Sequence, residues 1–359
     1  LVYTNKVPTG SVRGFGLPHP AWAIEQMLDS AAHELGLDPA EVARINAAEP
    51  GYVAPHGNTV TSCELRQCID RTTREFGWAE RRANRQPGRG VGLACGAHVS
   101  GKRQVPDNDV SVARISIDEF GKATIHLGEG EIGQGLTTAL PLIAAEAIGL
   151  PVEDIQVLQA DTAVSPLGYG AYGSRLTFIA GNAVERAARV VRQTLVETAA
   201  EMLEAAPEDI DIDGGVAGVR GSGESSKRVT VREIARHHQY RRGGSPITGT
   251  GLFDPETTIP NQELKSNESG AYGFTCHAAE VEVDRETGQV RVIDYLATSD
   301  CGTVINPLAA EGQVEGAIVT GLGFALHEGF VFEDGRPLNP NFSDYKLPSM
   351  ADVPRLRQG

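Results

Sequence analysis

No apolar run in this 359-residue chain approaches the roughly 18 residues that a bilayer crossing requires. Residues 1–20 also lack the basic stretch followed by an apolar one that marks a secretion signal. Basic side chains are scarce: 32 Lys and Arg face 47 Asp and Glu, for a formal charge of −15. The imbalance is uneven, since residues 1–85 hold 9 basic and 10 acidic side chains while residues 86–359 hold 23 and 37. Phosphate neutralisation needs clustered Lys and Arg, so a surface this acidic disfavours nucleic acid and anionic lipid as partners. The one basic cluster, Arg81-Arg82 with Arg85 and Arg89, sits in a polar stretch and reads as a solvated linker. Five cysteines scattered between positions 63 and 301 are too few, and odd in number, for a disulfide framework. They fit reduced thiols and a cytoplasmic protein. Cys63 and Cys68 lack the third cysteine that a plant-type iron–sulfur loop requires two residues later, and read as buried structural thiols.

Familiar catalytic signatures are missing as well. There is no Gly-x-Ser-x-Gly elbow and no P-loop, and neither His237-His238 nor His327-Glu328 has the second histidine four residues away that a zinc-binding helix uses. Asp209, Asp211, Asp213 and Gly214 copy the start of a calcium loop, but its twelfth position, which should carry a bidentate carboxylate, is Arg220. That segment reads as a turn. Gly128-Glu129-Gly130-Glu131-Ile132-Gly133 spells a dinucleotide fingerprint. Two glutamates beside the would-be pyrophosphate, and a preceding strand that belongs to a hairpin, argue against NAD.

What the chain has in excess is glycine and proline. With 42 and 20 they make up about one residue in six, above the typical share of about 12%. Length alone predicts two or three domains. Helical periodicity runs from Trp22 to Leu35, Pro39 to Ala47 and Cys63 to Phe76, after a strand-like Val2–Thr4, with Pro20 and Gly36 as start and stop signals for the first helix. Glu80–Gly90 is the first expected boundary. Alternating residues at Val110–Ile117 and Ala123–Leu127 predict an antiparallel hairpin, as do Ala278–Asp284 and Gln289–Ala297, within Cys276–Thr298, around Arg285-Glu286-Thr287-Gly288. Between and after them come helices at Thr137–Ile148, Leu176–Leu203 and Leu308–His327, the last broken by glycines, and a strand at Ile155–Gln159. Hairpins mixed with helices predict an α+β fold.

Four segments combine flexible backbone with one well-chosen side chain: Ser11–Gly16 (SVRGFG), Gly130–Gly135 (GEIGQG), Gly170–Arg175 (GAYGSR) and Glu311–Gly316 (EGQVEG). Glycine lets main-chain N–H groups approach a ligand, such groups at a helix start bind anionic oxygens, and glutamine offers a donor and an acceptor together. Four of them suggest a large polar, phosphate-bearing ligand held mostly by main chain. In order, RGFG, GQG with Thr137-Thr138, YGSR with Thr177 and Gly181, DCGTVINP over Asp300–Pro307, and GQVEGA resemble the large subunit of the molybdenum hydroxylases, the xanthine dehydrogenase and aldehyde oxidase family. The chain is similar above all to the bacterial branch that includes aerobic carbon monoxide dehydrogenases, and the resemblance runs over essentially all of it.

The resemblance implies a molybdopterin-binding portion of an oxidoreductase. Residues 1–85 would be the C-terminal part of a first cofactor-binding lobe and residues 86–359 a second lobe, divisible at 245/246 and incomplete at its C-terminal end. It also implies molybdenum–molybdopterin in the cytosine dinucleotide form, with iron–sulfur clusters and FAD on partner subunits, and it leaves room for a second molybdopterin-subunit fragment. Gln134, with the main chain of Gly133 and Gly135, would contact the pterin or its phosphate. Gly173 and Ser174 would sit beside metal and cofactor, Gln313 would reach the dinucleotide, and the Arg13 main chain would approach a molybdenum ligand. Arg13 and Gly173 would thus be near the metal, and Phe15 would form a wall of the substrate pocket. Gly14 stands where carbon monoxide dehydrogenases carry a copper-binding cysteine, which points to hydroxylation of an aldehyde or N-heteroaromatic. The family's general-base glutamate follows the stretch resembling Asn341–Pro354, and no counterpart is found here, Glu224 being set aside. The expectation is therefore a chain inactive alone, with a non-catalytic cofactor-binding scaffold as the alternative.

Overall fold

A computed structural model of the chain describes every residue except 1, 9, 85, 107, 222, 224 and 225. Glu224 and Arg85 therefore lie outside the described residues. In chain order the elements begin with α1 (Pro18–Leu35), α2 (Pro39–Asn46), α3 (Leu65–Phe76), α4 (Trp78–Ala83) and β1 (Arg89–Val99). Next come β2 (Ser111–Ile117), β3 (Ala123–Leu127), α5 (Leu136–Ile148) and β4 (Ile155–Gln159). A π-helical turn over Leu176–Ala180 leads into α6 (Gly181–Leu203), followed by β5 (Ile210–Asp213), β6 (Val216–Val219), β7 (Arg228–Thr230), α7 (Val231–Arg241) and β8 (Ile247–Phe253). The last are β9 (Tyr272–Val283), β10 (Val290–Asp300), α8 (Pro307–Leu326), β11 (Phe332–Glu333), β12 (Arg336–Pro337) and β13 (Leu356–Gln358). The fold is α+β, as the alternation of hairpins and helices predicts.

The chain divides into two compact units, the first formed by Leu1–Val53, Val60–His98 and Tyr272–Gly359, the second by Ala54–Thr59 and Val99–Ala271. Position 85/86 lies inside the first unit.

The second unit is built on a sheet of order β4-β3-β2-β8, in which β2 pairs antiparallel with β3 and β8 while β3 and β4 run parallel. Strict alternation drives its core: Ala113, Ile115 and Ile117 of β2, and Ala123, Ile125 and Leu127 of β3, are buried. Helix α6 covers that face with Ala183, Ala187, Val191 and Leu195. Two inward positions of β8 are glycines because the helix backbone itself is the neighbour. A Cβ on Gly249 would stand 2.4 Å from the Ala187 carbonyl, and one on Gly251 would stand 2.1 Å from that of Ala183. The predicted long helix is interrupted at its start, where five residues are π-helical before α6 proper. The calcium-like aspartates are the β5–β6 hairpin, turned by Gly214 and Gly215 at positive φ, in agreement with the turn reading.

In the first unit the sheet order is β1-β9-β10-β13, with β9 and β10 forming the second predicted hairpin. Helix α3 lays Cys68, Ile69, Thr72 and Phe76 on it, and the Thr72 hydroxyl donates to the Cys276 carbonyl (3.1 Å). Cys63, Cys68 and Cys276 are buried, consistent with structural thiols, whereas Cys301 is exposed.

Three expectations need correction. Val2–Thr4 forms no strand: Val2 and Tyr3 are 87% and 100% exposed, and an extended segment without a ladder partner has nothing to hold it. The described members of the basic cluster, Arg81, Arg82 and Arg89, are not a solvated linker, since each has an acidic partner. Arg81 lies in α4, its guanidinium 4.3 Å from the Phe76 ring, bonded to Glu280 and to Asp294 (2.8 Å), and its charge serves the sheet rather than solvent. Glycines do not break α8, which runs unbroken through Gly312, Gly316, Gly321 and Gly323. A side chain at 316 would stand 2.8 Å from the Arg13 guanidinium, and one at 323 would stand 3.0 Å from Pro348.

Gly251→Ala is expected to lower stability by about 1 to 3 kcal/mol or more, because the clash is with helix backbone that cannot rotate away. A urea titration should show an earlier midpoint at unchanged slope, and an unshifted midpoint would contradict the packing of α6 on β8.

Candidate functional site

In the first unit, Gly14, Phe15 and Gly16 take φ of +99°, +53° and +86°, three left-handed residues in a row. Hydrogen bonds from Phe15 N–H to the Val12 carbonyl (2.9 Å) and from Leu17 N–H to the Gly14 carbonyl (3.0 Å) close this turn just before α1. Phe15 is half-buried. The Arg13 side chain reaches α8, where Nη2 donates to the carbonyl of Gln313 (2.6 Å) and to its Oε1 (2.7 Å). Arg13 and Gln313, chosen independently from sequence, are thus brought together. The glutamine carboxamide oxygen accepts from this arginine, and Gly316, one turn further along the helix, leaves room for the guanidinium.

In the second unit, the loop between β3 and α5 is organised by Glu131. Its Oε1 accepts from the N–H groups of Gly133 (2.7 Å) and Gly135 (3.0 Å), and its Oε2 from the N–H (3.1 Å) and hydroxyl (3.3 Å) of Thr137. This is the nest of amides at a helix start that the glycine pattern offers to an anion, filled here by the chain's own carboxylate. Burial pushes the Glu131 carboxyl up, and the amides of Thr137, Gly135 and Gly133 with the Thr137 hydroxyl outweigh it, leaving it below the usual carboxylate range. Gln134 also serves the loop: Oε1 accepts from Ile132 N–H (2.6 Å) and Nε2 donates to the Gly130 carbonyl (3.2 Å). Gly133, at φ +100°, has open space where a Cβ would point.

The other loop of this unit is Gly170–Arg175. Gly173 and Ser174 are both left-handed, at φ +54° and +56°, and Ser174 is exposed. Arg175 beside them is fully buried. Its Nη1 donates to Glu129 Oε1 (2.8 Å) and its Nε to Asp109 Oδ1 (3.3 Å), while Nη2 reaches the carbonyls of Asp109 (3.2 Å) and Val110 (2.9 Å). The Ser111 hydroxyl also donates to Glu129 Oε1, and the Tyr172 hydroxyl donates to Asp109 Oδ1 (2.9 Å). Burial raises the Asp109 carboxyl against the pull of Arg175 and Tyr172, and burial together with Asp109 lifts the Tyr172 phenol to about 12. Removing one member of such a buried ionic set typically costs about 3 to 5 kcal/mol, because the remaining charge is left uncompensated.

Sequence reading missed Asp109, Glu129 and Glu131 as working residues. The first two were traceable. Ala113, Ile115 and Ile117 set an inward phase on β2 that includes 109 and 111, and Ala123, Ile125 and Leu127 set one on β3 that includes 129. A carboxylate on a core-facing phase calls for a cation.

A family model described as the molybdopterin cofactor-binding domain matches residues 71–354, and a second model of that description matches residues 1–47. The chain belongs to this family of molybdopterin cofactor-binding domains. It is 33% identical over 364 residues to the xanthine dehydrogenase molybdenum-binding subunit of Escherichia coli O157:H7, covering 99% of this chain and 46% of that protein. Among solved structures, quinoline 2-oxidoreductase from Pseudomonas putida 86 superposes with a TM-score of 0.84 at 30% identity, over 98% of this chain and 46% of that one. The reconstituted CO dehydrogenase from Oligotropha carboxidovorans gives 0.86 at 26% identity, over 99% and 46%. The chain therefore spans about half the length of the relatives it matches. The resemblance to molybdenum hydroxylase large subunits is borne out.

Glu131→Gln keeps one acceptor oxygen and loses the charge, with an expected cost of about 1 kcal/mol at pH 7. Because the folded carboxyl titrates below its unfolded value of about 4.3, its contribution is complete above that pH and fades as pH falls through the folded value. Paired urea titrations at neutral and acid pH should show the difference between wild type and variant shrinking on acidification. A constant difference would remove Glu131 as an ionised cap.

Proposed function

We propose that this chain is the cofactor-binding part of a molybdenum hydroxylase large subunit, acting on an aldehyde or an N-heteroaromatic with water as the source of oxygen. The observation that carries the reading is that three of the four segments singled out by motif order hold left-handed backbone, at Gly14 and Phe15 in one unit and at Gly133, Gly135, Gly173 and Ser174 in the other, while the fourth, Glu311–Gly316, lies within α8.

The residues suit molybdopterin. Gly133 and Gly170 face open space where a Cβ would sit, so an extended polar ligand can approach the main chain closely. Among the described residues no group of three or more His, Cys, Asp and Glu is arranged to hold a metal ion. The Gly133 and Gly135 N–H groups and the Gln134 carboxamide are held within the loop, so the fit rests on the open main-chain faces at Gly133 and Gly170, which an organic group bringing its own metal can approach. When bound, that group supplies the redox chemistry of hydroxylation.

Each unit's part is proposed from its own geometry. In the second unit, Gln134 with the main chain of Gly133 and Gly135 contacts the pterin or its phosphate, while Gly173 and Ser174 give main-chain contacts beside the metal. Glu131 holds the first of these loops ready, so the ligand meets a formed surface. In the first unit the Arg13 main chain approaches the metal's ligands, Gln313 reaches the dinucleotide, in the cytosine form, and Phe15 walls the substrate pocket. Arg13 and Gln313 hold one another there, which fixes the turn carrying Phe15. A phenyl face suits a planar heterocycle, and Gly14 offers no thiolate for copper.

Glu129 and Glu131 are both committed to internal partners, so this reading assigns the general base to neither and holds the chain inactive without one. Residues 1–85 and 86–359 are read as parts of two cofactor-binding lobes. Electrons pass to iron–sulfur and flavin partners in a cytoplasmic complex. Among the described residues no helix is long and apolar enough to cross a membrane.

Molybdenum and pterin analysis of the complete assembly should find about one cofactor per large subunit, and an active assembly free of both would overturn the reading. Gln134→Ala should lower pterin content about tenfold without unfolding the chain, by analogy with the loss of supporting contacts at other cofactor and metal sites. Full occupancy in that variant would remove Gln134 from the site.

A further inference from the structure

A serine in left-handed backbone is sterically unfavourable and persists only where its surroundings over-determine it. At Ser174 those surroundings are identifiable. On one side the Gly101 N–H donates to the Gly173 carbonyl (2.7 Å), and a Cβ at 101, where φ is +91°, would stand 2.6 Å from Ile179, so glycine suits the close approach of the segment after β1. On the other side stands Arg175. Besides its bonds to Asp109, Val110 and Glu129, its Nη1 donates to the Gly170 carbonyl (3.4 Å), so the side chain ties the end of the loop back to its start and to the residues leading into β2. The Asp109 N–H in turn donates to Asp254 Oδ1 (2.9 Å), which also receives Arg103 Nη2 (2.7 Å).

Charge economy does not explain this arrangement. Arg175 faces two buried carboxylates, and one oxygen of each, Asp109 Oδ2 and Glu129 Oε2, is buried without a hydrogen-bond partner. Buried ionic sets are weak sources of stability compared with apolar packing and are best understood where they fix a geometry. What this one fixes is the turn of half-buried Gly173 and exposed Ser174, with the π-helical turn that follows, a distortion often found at functional sites.

We propose that Arg175 is a positioning residue for the cofactor: the fork locked by Asp109 and Glu129 holds Gly173 and Ser174 in the left-handed conformation in which their main chain meets the molybdopterin. This rests on the reading of that turn as a cofactor contact. Lysine cannot substitute, since a single ammonium cannot reach acceptors spread around three guanidinium nitrogens.

The test is Arg175→Lys in the full chain, alone and assembled with its partners, with two readouts. Hydrogen exchange at amides 170–175 is compared with that of residues 183–199 in the core of α6, and molybdopterin per chain is measured from the fluorescence of the released, oxidised pterin. The expected result is exchange at the turn faster by about tenfold with α6 unchanged. Molybdopterin content should fall about tenfold, as when supporting contacts around a bound metal are removed. A folded variant with wild-type exchange at the turn overturns the proposal, and so does a loosened turn with full cofactor content. Should the lysine variant not fold, Glu129→Ala, which removes the acceptor of Nη1, must show the same pattern, and wild-type exchange and content in it overturn the proposal. A wild-type assembly holding no molybdopterin would instead sink the functional reading, and the proposal with it, while the exchange result would still report whether Arg175 orders the turn.

Discussion

The burial of Arg175 is the constraint on which the second unit's candidate surface depends. A guanidinium removed from water must have its donors satisfied and its charge opposed. Asp109 and Glu129 meet that demand from the continuations of β2 and β3, so the end of the sheet, the turn at 173–174 and the entry to α6 form one hydrogen-bonded object. The apolar core beneath gives the cluster its rigidity. Ala113, Ile115, Leu127 and the alanine face of α6 pack so closely that two positions of β8 can only be glycine.

A second theme is that the glycine-rich loops are finished by their own side chains. Loop amides left to water would sample many arrangements; here Glu131 gathers those of Gly133, Gly135 and Thr137, and Gln134 spans Ile132 and Gly130. In the first unit the same principle takes another form. The Arg13 side chain, held by Gln313 in the space that Gly316 leaves, steadies a turn of three left-handed residues. Preorganisation of this kind lowers the ordering cost that a ligand must otherwise meet on binding.

Much of the fold was legible because the two periodicities are clean. Both hairpins, the helices α2 and α3, α5 and β4 stand close to where alternation and three-to-four spacing put them. The misreadings share a cause. Arg81 looked solvated because local polarity does not reveal that Glu280 and Asp294 lie two hundred residues away in sequence and beside it in space. Gly316 of α8 looked like a break because its neighbour, the Arg13 guanidinium, is likewise non-local. Of the candidate site, the loops and their glycines were visible in motif order, whereas the carboxylates that hold them were not, although the phase of β2 and β3 pointed at Asp109 and Glu129.

By itself, then, the sequence determined the α+β class, the positions of three of the four glycine-rich cradles, Glu311–Gly316 being helix interior, and the family to which they belong, since periodicity, glycine placement and motif order are properties of the chain read in one dimension. Only the tertiary structure decided which distant polar groups are spoken for: that Gln313 accepts from Arg13, and that Arg175 is locked between Asp109 and Glu129. The physical reason is that a hydrogen bond or ion pair is specified by distance and burial. Partners separated by 46 or 300 residues along the chain become one another's environment only once the core has closed.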